Sequence, residues 1–252
     1  MKVKLLYSSS SGNSTIITAE SGALLVVDAG VSYKKMIEAY GDDFVPQALF
    51  ITHDHGDHIS GAGVLGRKTK CPIYLPKNSY EHKKELFSDC TINFIEGGET
   101  VEIEDFVIHA FNTKHDSKAG VAFIITEKSS MKKLGFLTDT GGITKLMREE
   151  LFGCNAYFIE TDYDEEELEK CAEYDDILKE RIRSPFGHLS NQQTLDYLNT
   201  YLNMDNIEWV AFGHLSQQTN SPEVLRNRIE YKVPKKYWDK LKIIDTTTEL
   251  SI

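Results

Sequence analysis

The chain has 252 residues, of which 40% are hydrophobic and 27% are charged, a composition typical of a soluble globular protein and sufficient for one α/β domain over residues 1–252. Its formal net charge of −11 argues against a protein that coats nucleic acid, but leaves room for a local basic groove or metal-mediated phosphate binding. No stretch reaches membrane-spanning length and the N-terminus has no long apolar run, which predicts a cytoplasmic protein without membrane contact.

The cysteines favour the same compartment. They are widely separated and include no Cys-x-x-Cys pair, as expected of reduced thiols in a cytosolic protein. The four are Cys71, Cys90, Cys154 and Cys171.

Along the chain, short apolar runs rich in β-branched residues alternate with amphipathic stretches. The apolar runs predict strands at 3–7, 15–18, 23–27, 48–52, 72–76, 92–95, 101–110, 120–126, 133–137, 156–160, 207–212 and 241–244. The amphipathic stretches predict helices at 32–41, 59–65, 78–87, 143–151, 191–202 and from 221 onward. The acidic stretch 162–180 is best interpreted as a solvated helical insertion. We therefore expect a layered α/β fold without linkers or repeats.

The stretch His53-Asp54-His55-Gly56-Asp57-His58 directly follows a buried strand. Three imidazoles and two carboxylates within six residues are costly to bury without partners. Divalent metal ions are suitable partners, since imidazole and carboxylate are their usual nitrogen and oxygen ligands. The alternative is a solvated loop that happens to be rich in histidine. The spacing at a strand end favours a metal site, with Asp54 as a turn residue or an indirect contributor.

Further polar residues end later strands or lie in glycine-flanked turns, and sites in layered α/β proteins gather where strand ends converge. Asp28 either supports the site or serves as a turn or helix-capping residue, and both interpretations stay open. His82 lies between charged neighbours and His109 lies within a strand, so we expect the first on a solvated face and the second to be structural. The remaining candidates are His115, Asp139, Glu160, His188 and His214.

This set of residues resembles the metallo-β-lactamase superfamily over essentially the whole chain. The resemblance implies an α/β protein (α+β in some schemes) with an αββα four-layer sandwich of two mixed β-sheets flanked by helices. It also implies two divalent metal ions. The first would be held by His53, His55 and His115, the second by Asp57, His58 and His214, and both by the bridging carboxylate of Asp139.

Within the superfamily the chain most resembles the YycJ/WalJ subfamily, through Ser10-Ser11-Gly12-Asn13-Ser14, Lys114-His115-Asp116-Ser117, Gly187-His188-Leu189-Ser190-Asn191 and His214-Leu215-Ser216. It resembles tRNA 3′-processing endonucleases more distantly. In those relatives, residues matching Glu160 and His188 contribute to catalysis without binding metal. Many members have a histidine shortly after this glutamate. This chain has Glu160-Thr161-Asp162-Tyr163-Asp164 there and lacks that histidine, so no role of the histidine is assumed here.

These features predict a dinuclear metal-dependent phosphodiesterase, a nuclease with DNA exonuclease activity favoured by the resemblance. Two metal ions can bind a bridging water and lower its pKa, giving hydroxide near neutrality. Asp57 would position that hydroxide, and His188 paired with Glu160 would protonate the leaving oxygen or stabilise the developing charge. Zinc suits the ligands, and manganese or iron fit the same set. Phosphate contacts could come from basic residues near these motifs, or these could be ordinary surface charges: Lys114, Lys118, Arg181 and Arg183.

The alternative is a hydrolase of a small phosphodiester, ester or thioester, which the acidic net charge favours. A non-hydrolytic protein is a third class: a redox protein with iron at the same site, or a metal-dependent binding module. His55 and the chain length argue against the redox protein, because flavodiiron relatives have glutamate at the matching position and carry an additional flavin domain.

Overall fold

The computed structural model describes residues 1–9, 11–41, 44–244 and 247–252. Its strands are β1 (Lys2–Ser9), β2 (Gly12–Thr18), β3 (Leu24–Val27), β4 (Ala48–Phe50), β5 (Ile73–Leu75), β6 (Ile92–Phe94), β7 (Thr100–Ile103), β8 (Phe106–Asn112), β9 (Val121–Glu127), β10 (Lys133–Leu137), β11 (Ala156–Glu160), β12 (Trp209–Gly213), β13 (Leu241–Ile243) and β14 (Thr248–Ser251). Its α-helices are α1 (Tyr33–Tyr40), α2 (Gly56–Ile59), α3 (Ala62–Thr69), α4 (Lys77–Lys83), α5 (Lys145–Glu150), α6 (Glu165–Lys170), α7 (Asp176–Arg183), α8 (Asn191–Tyr201) and α9 (Pro222–Lys232). Short 3-10 helices lie at Lys84–Phe87, Met204–Asn206 and Lys235–Lys240.

The strands form two seven-stranded sheets. The first has the order β14-β1-β2-β3-β4-β5-β6 and the second the order β13-β12-β11-β10-β9-β8-β7. Both are mixed: β3 to β6 run parallel beside antiparallel β1, β2 and β14, and β10 to β13 run parallel beside antiparallel β7, β8 and β9. Parallel strands covered by helices explain why so many runs are apolar on both faces.

Alternation within each strand divides the apolar residues between an inner and an outer layer. In β9, Phe123 and Ile125 join the cluster between the two sheets, whereas Ala122 and Ile124 join a cluster with the covering helices. In β3, Leu25 and Val27 face inward, and the alternate residues join the cluster with α1 and α3. The result is the predicted αββα sandwich of two mixed sheets flanked by helices.

Two parts of the fold differ from the expectation. The stretch 162–180 holds two separate helices, α6 and α7, and the second helix lies against the strand-end edge instead of standing apart in solvent. β14 was not expected, because it is a short edge strand with alternate residues exposed and lacks an apolar run. In the described residues, no helix is both long and apolar enough to cross a membrane.

Candidate metal centre

The polar residues singled out in the sequence follow strands whose carboxyl ends meet at one edge of the sandwich. β3 and β4 run parallel in the first sheet, and β10, β11 and β12 run parallel in the second. Parallel neighbours place their carboxyl ends at the same edge, where the following residues converge. The residues that come after, or end, strands there are Asp28, His53, His55, His115, Asp139, Glu160 and His214.

A first group of donor atoms comes from His53, His55, His115 and Asp139. The Nε2 atoms of His53 and His115 each lie 3.6 Å from Oδ2 of Asp139. The Nδ1 atom of His55 lies 3.1 Å from Nε2 of His115. The structure thus brings together the four residues that the resemblance assigns to one metal ion.

A second group comes from Asp57, His58, Asp139 and His214. Here the other oxygen of Asp139, Oδ1, lies 3.4 Å from Nε2 of His58 and 3.6 Å from Nε2 of His214. Oδ2 of Asp57 lies 3.3 Å and 3.5 Å from the same two nitrogens. Asp139 therefore faces one group with each of its carboxylate oxygens.

The separations between these atoms suit metal ligands. Nitrogen and oxygen ligands about 2.1 Å from a tetrahedral ion lie roughly 3.4 Å from one another. The Nε2 atom of His53 is buried without a hydrogen-bond partner in the described residues, a costly arrangement that a bound cation would relieve. The donor set therefore fits two divalent cations, with Asp139 between them, and the assignment of individual ligands stays a prediction.

The electrostatics of the two groups are compatible with cation binding. Burial acts to raise the pKa of Asp139, but His214 and His58 hold that pKa well below its usual range, so the carboxylate is charged. Burial, together with His58, holds the pKa of His53 well below its usual value. Ionised carboxylates and neutral imidazoles are the forms that bind metal. Burial acts to lower the pKa values of His58 and His214, but Asp139 and other carboxylates raise both well above normal. The site thus attracts positive charge.

Asp28 orients one of the histidines. It has a φ of 59° and accepts hydrogen bonds from the Thr52 backbone N–H at 2.8 Å and from Nδ1 of His58 at 2.7 Å. This contact fixes the His58 ring with Nε2 toward Asp139, the usual role of a carboxylate behind a ligand histidine. Of the two interpretations left open for Asp28, this contact favours the one in which it supports the site.

Asn13 is a residue that the sequence did not single out for a contact here. Its Nδ2 atom lies 3.2 Å from Oδ2 of Asp57 and 3.0 Å from Nε2 of His58. Asn13 belongs to the Ser10-to-Ser14 motif, and this motif is the feature of the sequence from which a contact with the site could have been inferred. Ser10 itself lies outside the described residues.

Glu160 and His188 lie together beside the second group. Nδ1 of His188 contacts Oε1 of Glu160 at 2.5 Å. The other oxygen, Oε2, accepts from the backbone N–H of Thr140 at 2.9 Å and of Leu189 at 3.2 Å. Burial acts to lower the pKa of His188, but Glu160 and Asp162 raise it to about 9. The imidazolium is the favoured form in the metal-free protein.

These residues open into a cleft of about 200 Å³. One of its walls comes from the segment 174–182, with Tyr174, Leu178 and Arg181 lining it. The interpretation of 162–180 as a solvated insertion is therefore wrong for one face of α7, where Leu178 and Ile182 line the cleft, although Ile177 is exposed. The acidic composition gave no indication of this contact with the cleft, because most of the acidic residues in this stretch are exposed.

The basic candidates separate clearly in the structure. Arg181 lines the cleft, whereas the other three do not line it in the described residues. Arg183 pairs with Glu169 and Glu180 on the outer side of α7.

His82 lies on a solvated face, as expected, with 46% of its side chain exposed. Its Nδ1 atom donates to the carboxylate of Asp54, which is only 2% exposed. The other oxygen of Asp54 accepts the backbone N–H of Lys118 at 3.1 Å. His109 fits the structural role expected for it, since it lies within β8 and its Nε2 contacts Glu150 at 3.1 Å.

A family profile described as the metallo-beta-lactamase superfamily matches residues 9–131, which include the His53-to-His58 motif and His115. The fold and the second set of strand ends complete the arrangement beyond that range. The chain belongs to the metallo-β-lactamase superfamily.

Single relatives extend the similarity over most of the chain. It is 33% identical over 232 residues to the exodeoxyribonuclease WalJ of Streptococcus pneumoniae serotype 2, covering 88% of this chain and 84% of that protein. It is 27% identical over 241 residues to the exodeoxyribonuclease YycJ of Bacillus anthracis, covering 92% and 89% of the two chains. The crystal structure of Zn²⁺-bound PqqB from Methylobacterium extorquens has the same fold, with a TM-score of 0.76, 13% identity and coverage of 100% of both chains.

Proposed function

We propose that this protein is a dinuclear metal-dependent phosphodiesterase that acts on nucleic acid, with exonucleolytic cleavage of DNA as its reaction. The observation that carries the proposal is the Glu160–His188 pair beside the two donor groups that share Asp139. The similarity to the exodeoxyribonucleases WalJ and YycJ over most of the chain supports DNA as the substrate.

When bound at the two donor groups, divalent ions supply Lewis acidity and a water of lowered pKa. Asp57, which lines the cleft, would be one of the donors to the ions and would also orient the attacking water. The other donors would be His53, His55, His58, His115, Asp139 and His214. His188 gives a proton from its second ring nitrogen to the leaving oxygen, and Glu160 holds the ring through Nδ1. An alkoxide leaving group needs such an acid more than a thiolate does, so the pair favours phosphodiester cleavage.

We further propose zinc as the resident metal, because a histidine-rich set with one shared carboxylate suits zinc, although manganese and iron accept the same donors. The Zn²⁺-bound state of PqqB, which shares the fold, supports this choice. We place the protein in the cytoplasm, where its four free cysteines would stay reduced. Elemental analysis of protein purified without added metal tests the first assignment.

The proposed function is tested by incubating the protein with single-stranded DNA, duplex DNA, RNA and small phosphodiesters, each with several divalent metals. We expect DNA to be shortened from its ends, with activity abolished by chelator and by Asp139→Ala. His188→Ala should lower activity by about 10²- to 10⁴-fold while metal content stays. Full activity of His188→Ala on the best substrate would exclude the acid role.

A hydrolase of a small phosphodiester, ester or thioester is the second candidate, favoured by the net charge of −11 and by the carboxylates that line the cleft. Salt dependence separates the two. Activity on DNA should fall steeply with rising salt, since binding to a polyanion releases counterions. A small substrate cleaved equally well at low and high salt, with DNA left intact, would favour the second candidate.

A further inference from the structure

The cleft contains one strong, permanently charged cation. Among the described residues that line it, Arg181 is the single lysine or arginine, and four carboxylates line the same cleft. Those carboxylates belong to Asp57, Asp116, Asp139 and Asp162. A phosphate that enters this cleft thus meets one guanidinium besides any bound metal ions.

Asp116 connects this guanidinium to the first donor group. The Nε atom of Arg181 donates to Oδ2 of Asp116 at 2.5 Å. The other oxygen of Asp116 lies 3.5 Å from Nε2 of His55 and 3.5 Å from Nε2 of His115. A single carboxylate therefore separates Arg181 from two of the imidazoles of the metal centre.

The backbone around Arg181 is fixed to the same centre. Nδ1 of His115 donates to the carbonyl oxygen of Gly187 at 2.9 Å. The backbone N–H of His188 donates to the carbonyl oxygen of Ile182 at 3.0 Å. A Cβ at Gly187 would lie 2.4 Å from the Arg181 carbonyl oxygen, so the chain there has no room for a side chain. The end of α7 is thus held against the loop that carries His188.

The guanidinium retains donors for a ligand. Arginine carries five N–H groups in a planar fork, and in the described residues the hydrogen bond of Arg181 is the one from Nε to Asp116. The side chain is 61% exposed and lines the cleft, so its remaining N–H groups are accessible to a ligand. Planar, paired donors match the oxygens of a phosphate.

We propose that Arg181 binds a phosphate of the substrate beside the metal centre and that Asp116 positions it. This inference rests on the proposed function, because it deepens the choice of substrate: a phosphodiester anion uses this contact, and a neutral ester or thioester has no group for it. Arg181 is a binding residue in this scheme, and Asp116 acts through it.

The first experiment measures binding of inorganic phosphate to the metal-loaded protein by calorimetry, in wild type, Arg181→Gln, Arg181→Lys and Asp116→Asn. We expect affinity to fall about tenfold in Arg181→Gln, with partial recovery in Arg181→Lys and an intermediate loss in Asp116→Asn. Arg183→Gln is the matched control, since Arg183 lies two residues further on and pairs outward with Glu169; its affinity should match wild type. Equal phosphate affinity in wild type and both Arg181 variants would overturn the inference.

The second experiment locates the phosphate on DNA. Oligonucleotides with one uncharged methylphosphonate linkage at successive positions are cleaved by wild type and Arg181→Gln. When the methylphosphonate replaces the linkage that Arg181 contacts, we expect wild type and Arg181→Gln to cleave the oligonucleotide with the same kcat/KM. At other positions Arg181→Gln should have the lower kcat/KM. The same loss at every position, accompanied by a lower metal content, would show a purely structural role and overturn the inference.

The two proposals fail separately. If wild type leaves DNA intact but Arg181→Gln loses phosphate affinity, the phosphate contact stands and the nuclease is wrong. The opposite result is that wild type degrades DNA while Arg181→Gln has the same phosphate affinity and the same methylphosphonate profile as wild type. In that case the nuclease function is supported and the proposed phosphate contact is wrong.

Discussion

His82 donates a hydrogen bond from Nδ1 to the buried carboxylate of Asp54 and thereby joins α4 to the loop that carries the first histidines. The second oxygen of Asp54 accepts the backbone N–H of Lys118, in the loop that follows His115. Asp54 thus holds together the two loops that supply the three histidines of the first donor group. Its role is indirect, since the metal-donor groups do not include it.

Replacing His82 by Phe should therefore weaken metal binding at the first donor group. The Asp54 carboxylate loses its imidazole partner, and the two loops lose part of their alignment. We expect metal affinity to fall roughly tenfold, at the lower end of the range for residues that support ligands indirectly. Competition with a chromophoric chelator measures the affinity of each site. His109→Phe is the control, because His109 contacts Glu150 away from the donor groups. Unchanged affinity in His82→Phe would show that the contact is dispensable.

The case of His82 shows where the sequence stops being informative. The donor residues follow apolar strands, and strand periodicity together with the His53-to-His58 spacing is local information, so those residues could be predicted. The partner of Asp54 is set by how the segments 77–83 and 113–118 pack, which involves residues distant in the chain. Charged neighbours on either side of His82 correctly indicated that it is exposed, but they gave no sign that its ring also contacts Asp54.

Asp139 should be needed for both metal sites. Each of its oxygens faces a different pair of imidazole nitrogens at 3.4–3.6 Å, so its removal deprives both groups of one donor. We expect Asp139→Ala to bind fewer than two metal ions per chain and to lose activity. Inductively coupled plasma mass spectrometry after dialysis gives the stoichiometry. Glu149→Ala, which removes an exposed carboxylate on α5, is the control and should keep both ions. Two tightly held ions in Asp139→Ala would contradict the bridging assignment.

Glu160 and His188 should act as one unit. Because Glu160 holds the His188 ring at 2.5 Å, losing either partner removes the same proton donor. We expect Glu160→Gln and His188→Asn each to lower kcat by about 10²-fold or more, and the double variant to be little worse than the His188 variant alone. Glutamine retains an oxygen for the backbone N–H groups of Thr140 and Leu189, so the fold should persist. Fully additive losses in the kinetic cycle would mean that the two residues act independently.

The cleft wall illustrates a second limit of the sequence. The apolar positions of α7 could be recognised from the sequence. Asp164 caps the start of α6 and Asp175 caps the start of α7. Which side of the helix would meet the metal centre depends on the loop 184–188, whose close packing at Gly187 against the Arg181 and Ile182 carbonyls cannot be inferred from spacing. Four basic residues were equal candidates for phosphate contacts, and the structure distinguishes Arg181 by position alone.

Asp164 and Arg228 should stabilise the fold in a pH-dependent way. Asp164 is buried, caps α6, and accepts bonds from Nε of Arg228 at 2.9 Å and from Nη2 at 3.0 Å. Burial acts to raise the pKa of Asp164, but the hydrogen bonds from Arg228 and Asn191 hold it below its usual value. A carboxyl whose pKa is lower in the folded state stabilises the protein above its unfolded-state pKa, about 3.9, and that contribution is lost as pH falls through the folded-state pKa.

We therefore expect Arg228→Met to lower the free energy of unfolding at pH 7 by about 1–3 kcal/mol, the range for a charged hydrogen bond whose buried partner is left behind. The difference from wild type should shrink as pH falls below about 4, because the protonated carboxyl no longer attracts the guanidinium. Urea unfolding of metal-free protein at a series of pH values measures both. Arg226→Met, an exposed arginine on the same helix, should change stability by less than about 0.5 kcal/mol. A loss in Arg228→Met that stays constant down to the lowest pH at which the protein is folded would show that packing of the side chain, and not its charge, is what stabilises this corner of the fold.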